Sequence, residues 1–220
     1  MSGGNGYGGN QPMTTATIPT AHGPNTDLSE PRPRRRARRQ QARRLRLRDE
    51  ASARLAELDQ IACMLNDAAD LVRTGWLQHR WFAYIDDTGQ IRTVNAFDAK
   101  RMAGHPVVEA CLVGAIVQAG GGLSHLRKQV VQRAVDLTWH TLFRTPSELI
   151  HRTPAPLVRT RHVQDLTRWN DYPGRTSHDA EALLRRSATA ARYEAAQLQT
   201  RSAPVTSRST PHACGARSHA

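Results

Sequence analysis

The chain has 220 residues, 39% of them hydrophobic, and a net charge of +12, which fits one domain with polar ends. Its three cysteines, Cys63, Cys111 and Cys214, are widely spaced and odd in number, which excludes a disulfide framework and suits a reducing, cytoplasmic compartment. The best apolar run, ACLVGAIV at 110–117, is far short of the roughly 18 residues of a membrane span. The twin arginines at 38–39 and 43–44 precede no apolar stretch, so no export signal is expected.

Residues 1–31 are rich in Gly, Thr, Pro and Asn and lack an apolar cluster, so a disordered tail is predicted there. Residues 200–220 have the same character and receive the same prediction. Between the tails, 32–48 is an Arg-rich arm and 49–199 a single domain. The arm, RPRRRARRQQARRLRLR, holds ten Arg and no acid, where composition alone would place about two. Residues 49–200 carry 18 Lys plus Arg against 17 Asp plus Glu, so the basicity belongs to the arm.

Leu55, Leu58, Ile61, Leu65, Ala68 and Val72 recur at steps of three and four, the stripe of an amphipathic helix. Its start is predicted near Asp49-Glu50, whose charges suit the N-terminal dipole, with Gly75 as a left-handed cap. The arm extends this helix if its charge is neutralised. WFAYIDDTGQIRTV at 81–94 has strand formers around a DDTG turn and predicts a hairpin. Residues 106–119 open with Pro and end at GGG, predicting a buried helix. A further helix is expected over 123–143, carrying Leu126, Val130, Ala134, Leu137 and Leu142. Residues 145–160 contain three prolines and are read as a loop, followed by a short helix, roughly HVQDLTRW, with Trp169 in the core. A final helix from Ser177 to about Gln199 shows an Ala-rich face of Ala180, Leu184, Ala188, Ala191, Ala195 and Leu198. The fold class is therefore mainly α, a small helical domain with one short β-hairpin.

RWNDYPGRT at 168–176 has two readings. Pro173 and Gly174 suit the centre of a type II turn, and Thr176 with Asp179 suits a helix N-cap with a short capping box. Asn170 and Asp171 before a turn usually make local hydrogen bonds. The chemical reading makes Asp171 a base or ligand, Asn170 its orienting neighbour and Arg175 an anion clamp, in a site that Trp76 also lines.

GW at 75–76, Asp87 and Gly89, C-L-V-G-A at 111–115 and W-N-D-Y-P-G-R-T at 169–176 together resemble a domain-of-unknown-function family of actinobacteria and their phages. The resemblance covers roughly 60–197. Its motif residues here are Gly75, Trp76, Cys111, Gly114, Trp169, Asn170, Asp171, Pro173, Gly174, Arg175 and Thr176. Leu77 stands where members often have Cys, Gln78 is kept, and the connection before Trp169 is longer than usual. The resemblance implies a folded domain and brings no activity.

No CxxC, HExxH, GxSxG or phosphate-binding loop occurs, so neither metal nor cofactor is predicted. Cys63 and Cys111 are read as small residues on apolar helix faces, and the Asp86-Asp87 pair as turn carboxylates. His79, His140, His151 and His162 are candidate bases to which no nucleophile is matched. In the tail, His212, Cys214 and His219 could take up metal adventitiously.

The arginines Arg34, Arg35, Arg36, Arg38, Arg39, Arg43, Arg44, Arg46 and Arg48 are the strong signal. Guanidinium groups at this density neutralise phosphates and release counterions, giving salt-sensitive binding to DNA or RNA. No aromatic interleaves with them, so base stacking is not indicated. An anionic membrane surface or an acidic protein is a further class of partner for such charge. The expected function is a cytoplasmic, non-enzymatic interaction protein. The alternatives are a small enzyme or ligand-binding domain around Asn170, Asp171 and Arg175, and a protein-binding accessory factor of phage or mobile-element origin.

Overall fold

A computed structural model of the chain describes residues 32–143 and 155–202. The predicted N-terminal tail falls on residues outside that range, as do His151 and the metal-capable residues of the C-terminal tail; of the tail predicted over 200–220, residues 200–202 are described and helical, and the rest lies outside. The chain divides into two units, Met1–Ala42 and Arg43–Ala220. In the first, the described residues belong to a helix with exposed side chains from Arg34 onward. In the second, helices and a three-stranded sheet share one hydrophobic core.

Helix α1 spans Arg32–Thr74, so it begins 17 residues before the predicted start. Its first turn holds no acid, and Asp49-Glu50 lie within it. Pro33 is compatible with a first turn, and the Arg, Gln, Ala and Leu that follow are all good helix formers. Their summed propensity outweighs a dipole preference of about 0.3–1 kcal/mol at one end. From Leu58 the predicted stripe is buried: Leu58, Ile61, Leu65, Ala68 and Val72. Cys63 is exposed, contrary to its predicted place on the apolar face.

Gly75 is not a left-handed cap. A Cβ there would stand 2.6 Å from both the Val108 carbonyl oxygen and Glu109 Cγ, so close approach of the backbone excludes a side chain. The sheet is built from β1 (Phe82–Ile85), β2 (Ile91–Val94) and β3 (Val107–Ala110), antiparallel and ordered β2-β1-β3. The predicted hairpin pairs Phe82 with Val94 and Ile85 with Ile91. Asp86 closes its turn, accepting from Thr88 Oγ1 at 2.6 Å, from the Thr88 and Gln90 amides at 2.9 Å each, and from Arg92 Nε at 2.9 Å. The Thr88 hydroxyl and Arg92 hold its carboxyl well below the usual range.

The helix predicted over 106–119 is half strand. Val107 and Val108 are β-branched; Val107 pairs with Tyr84 of β1, and Val108 bulges between the Glu109 and Val107 pairings. Only α2, Leu112–Ala119, is helical, N-capped by Cys111 and buried from Leu112 through Val117. The helix predicted over 123–143 begins later, as α3 over Gln129–Phe143 after a 3-10 turn, and Leu126 is exposed. Residues 123–128 are taken up by that turn, with the Leu126 amide donating to Leu123 and the Lys128 amide to His125, so the α-helical ladder starts only after it.

Helix α4, Pro156–Asn170, overturns the end of the predicted loop: Pro156 occupies the first turn, where its missing N–H costs nothing. The predicted short helix is its C-terminal half. Helix α5, Ser177–Ser202, buries Ala180, Leu184, Ala188, Ala191 and Ala195 as predicted. Arg54–Glu194 at 2.8 Å and Arg185–Asp70 at 3.0 Å hold α5 antiparallel to α1.

Candidate functional site

The predicted arm is helical, and every described side chain from Arg34 to Glu50 is exposed. Within the second unit, a groove of about 750 Å³ is lined by Arg44, Leu47, Arg48, Leu55 and Arg201. Arg201 sits at the end of α5, so folding brings an arginine counted with the tail beside two of the arm. Sequence reading had no signal for that meeting.

Three of the four motif segments meet at Asn170, the last residue of α4. Its Oδ1 accepts from Trp76 Nε1 at 2.9 Å and from the Leu112 amide at 3.1 Å. Its Nδ2 donates to the Leu77 carbonyl and to Asp171 Oδ1, each at 2.9 Å. Two acceptor sites and two donors are all that an Asn side chain offers, so Asn170 is saturated and fully buried. Gln78 Nε2 donates to the carbonyls of Asn170 (2.9 Å) and Tyr172 (3.2 Å). Asp171 accepts the His79 amide at 2.8 Å, holding His79 at φ 63°. A non-glycine residue in that region is held against a cost of about 1 kcal/mol or more.

The backbone completes the junction. Trp76 bridges to Ala110, with the Ala110 amide donating to the Gly75 carbonyl at 3.1 Å. Cys111 follows, its Sγ accepting the Gly114 amide at 3.3 Å. A Cβ at Gly114 would come 2.4 Å from the Trp81 carbonyl oxygen, so this helix start also needs glycine for close packing. Residue 77 enters the network through its backbone, which Leu supplies as well as Cys. Burial pushes the Cys111 thiol up to about 12, so at neutral pH it is a protonated cap.

PGRT behaves as predicted. The Arg175 amide donates to the Tyr172 carbonyl at 3.1 Å across Pro173 and Gly174, the latter at φ 84°. The Asp179 amide donates to Thr176 Oγ1 at 3.2 Å, and the Thr176 amide donates to Asp179 Oδ2 at 2.9 Å. That reciprocity, with the Thr176 hydroxyl also on Asp179, holds the Asp179 carboxyl below its ordinary range. Trp169 is half-buried against the core as expected. Arg175 does not join Asn170 and Asp171; its guanidinium lies 4.2 Å over the Trp169 ring. The predicted chemical constellation therefore separates into a saturated network and a stacked arginine.

One polar cluster escaped the sequence reading except for His162, named there as a candidate base. His162 Nδ1 lies 2.8 Å from Asp136 Oδ1, with both residues buried. Arg159 donates to Asp136 Oδ2 through Nε at 3.1 Å and Nη2 at 2.9 Å, and to Gln132. The Trp139 ring stacks on His162 at 4.1 Å, and its Nε1 donates to Asp165 at 3.1 Å. These contacts step forward together along both helices, so α3 and α4 run parallel. The available signal was an Asp inside the apolar stripe Val135-Asp136-Leu137, with Arg159 and His162 three apart on one helix face. The carboxylate is held by imidazole and guanidinium, a packed pair that joins two helices.

Among the described residues no group of three or more His, Cys, Asp or Glu is arranged to hold a metal ion. No helix among them is long and apolar enough to cross a membrane. A family model described as a family of unknown function (DUF6197) matches residues 56–190, and the chain belongs to that family. No curated protein and no solved structure matches the chain.

Proposed function

We propose that this chain is a cytoplasmic, non-enzymatic interaction protein whose Arg-rich segment, 32–48, contacts nucleic acid through phosphates without reading base sequence. The observation that carries the reading is an acid-free stretch of helix with nine exposed arginines between Arg34 and Arg48. Family membership assigns no activity, so the charge and its exposure bear the argument. Arginine forks pair with phosphate oxygens bidentately, and counterion release makes the affinity fall steeply with salt. The domain we place at 49–199 encloses the family match at 56–190.

Two observations favour this reading over a ligand site at Asn170 and Asp171. Every hydrogen-bonding position of the Asn170 side chain is taken internally, and Asp171 supports the His79 turn. Retention of the full chain on immobilised DNA tests the proposal: it should fall steeply with salt and vanish when 32–48 is deleted. Equal retention after the deletion refutes it.

A further inference from the structure

We infer that the occupant of the Arg-rich helix is the major groove of double-stranded DNA, a claim that rests on the nucleic-acid reading above. A helix gains about 100° per residue, so positions four apart share a side. Within the first unit, Arg34 and Arg38 share one side of the helix, while Arg36 and Arg39 lie roughly opposite. Within the second unit, Arg44 and Arg48 share one side, and Arg43 and Arg46 lie roughly opposite. Each stretch thus carries arginine on two roughly opposite sides, and the only large apolar side chains, Leu45 and Leu47, fall on different sides.

That distribution separates the polyanions that charge alone does not. A helix that lies in a membrane surface buries an apolar face beneath its basic one, and residues 34–48 have no such face. A single strand is gripped by aromatic platforms, and 32–48 contains no aromatic residue. A helix basic on opposite sides is satisfied between two walls of phosphate. The major groove of B-form DNA, about 12 Å wide, admits a helix of about 10–12 Å diameter between two such walls. The deep, narrow major groove of A-form RNA does not. Arg201, beside Arg44 and Arg48 at the groove between α1 and α5, adds a cation to one wall.

The test measures affinity of the full chain at fixed salt for a 20-base-pair DNA duplex, its single strand, the RNA duplex and vesicles rich in anionic lipid. A DNA duplex carrying bulky glucosyl groups on its cytosines, in the major groove, completes the set. The unmodified DNA duplex should bind about ten-fold tighter than each of the others. Two exposed double variants follow, Arg44→Gln/Arg48→Gln and Arg43→Gln/Arg46→Gln. Each should weaken duplex binding and reduce the log–log salt slope by about 2, since each removes two phosphate contacts at about 0.9 apiece.

Equal binding of modified and unmodified duplexes, equal or tighter binding of the single strand, or one silent double variant overturns the groove assignment while leaving the nucleic-acid reading intact. Absence of salt-sensitive binding to every nucleic acid overturns both. Preference for the vesicles overturns both in favour of a membrane surface.

Discussion

The Arg-rich helix and the Asn170 junction are both conspicuous in sequence, yet they use their polar groups in opposite ways. From Arg34 to Arg48 the side chains point to water, where a phosphate can reach them. Around Asn170 the polar groups are turned inward: Trp76 Nε1, the Leu112 amide and the Leu77 carbonyl all end on one buried amide. A motif of reactive residue types is therefore no better evidence of chemistry than a run of repeated charge. What separates them is whether hydrogen-bonding capacity remains for a ligand.

The contrast breaks most visibly at Asn170. Asn170→Ala strips partners from an indole N–H, an amide and a carbonyl, each costing about 1–3 kcal/mol when buried and unmet. The variant should lose roughly 3–5 kcal/mol in denaturant unfolding, with the salt-dependent DNA affinity of its folded fraction intact. A stable variant that no longer binds would move function into the junction.

Cys111 sharpens the same side of the comparison through pH. Its folded thiol is raised from the ordinary 9.0 to about 12, so above pH 9 the unfolded chain ionises while the native chain keeps its proton. The native state then holds more protons, and stability falls as pH rises, by about 1.4 kcal/mol per unit between pH 9 and 12. Below pH 9 this contribution is fully present. Cys111→Ser keeps a capping oxygen and should flatten that difference in alkaline melts. An identical alkaline slope in both proteins would contradict a buried, protonated thiol.

Much of this was legible beforehand because local rules govern it. The PGRT turn and cap, the hairpin at 81–94 and the α5 stripe each depend on residues within a few positions of one another. The misread elements are those decided by distant partners. Val107–Ala110 becomes a strand because β1 offers a free edge, which no window of sequence displays. Gly75 looks like a cap until β3 arrives 2.6 Å from its missing Cβ. The junction itself joins residues 92–94 positions apart, and the Asp136–His162 pair joins two helices through a connection longer than any local rule spans. For the arm, composition displayed the charge, but only the helix showed that each stretch carries it on two roughly opposite sides.

The most direct test of the division is a salt titration of DNA affinity for the full chain and for a variant with Arg34, Arg35, Arg36, Arg38, Arg39, Arg43, Arg44, Arg46 and Arg48 all changed to Gln. Exposed Gln keeps helix propensity, so the thermal melt of the domain should be retained. Affinity should collapse, together with a log–log slope worth about 0.9 per lost phosphate contact. A variant that melts as before and binds DNA with the same slope would contradict the account.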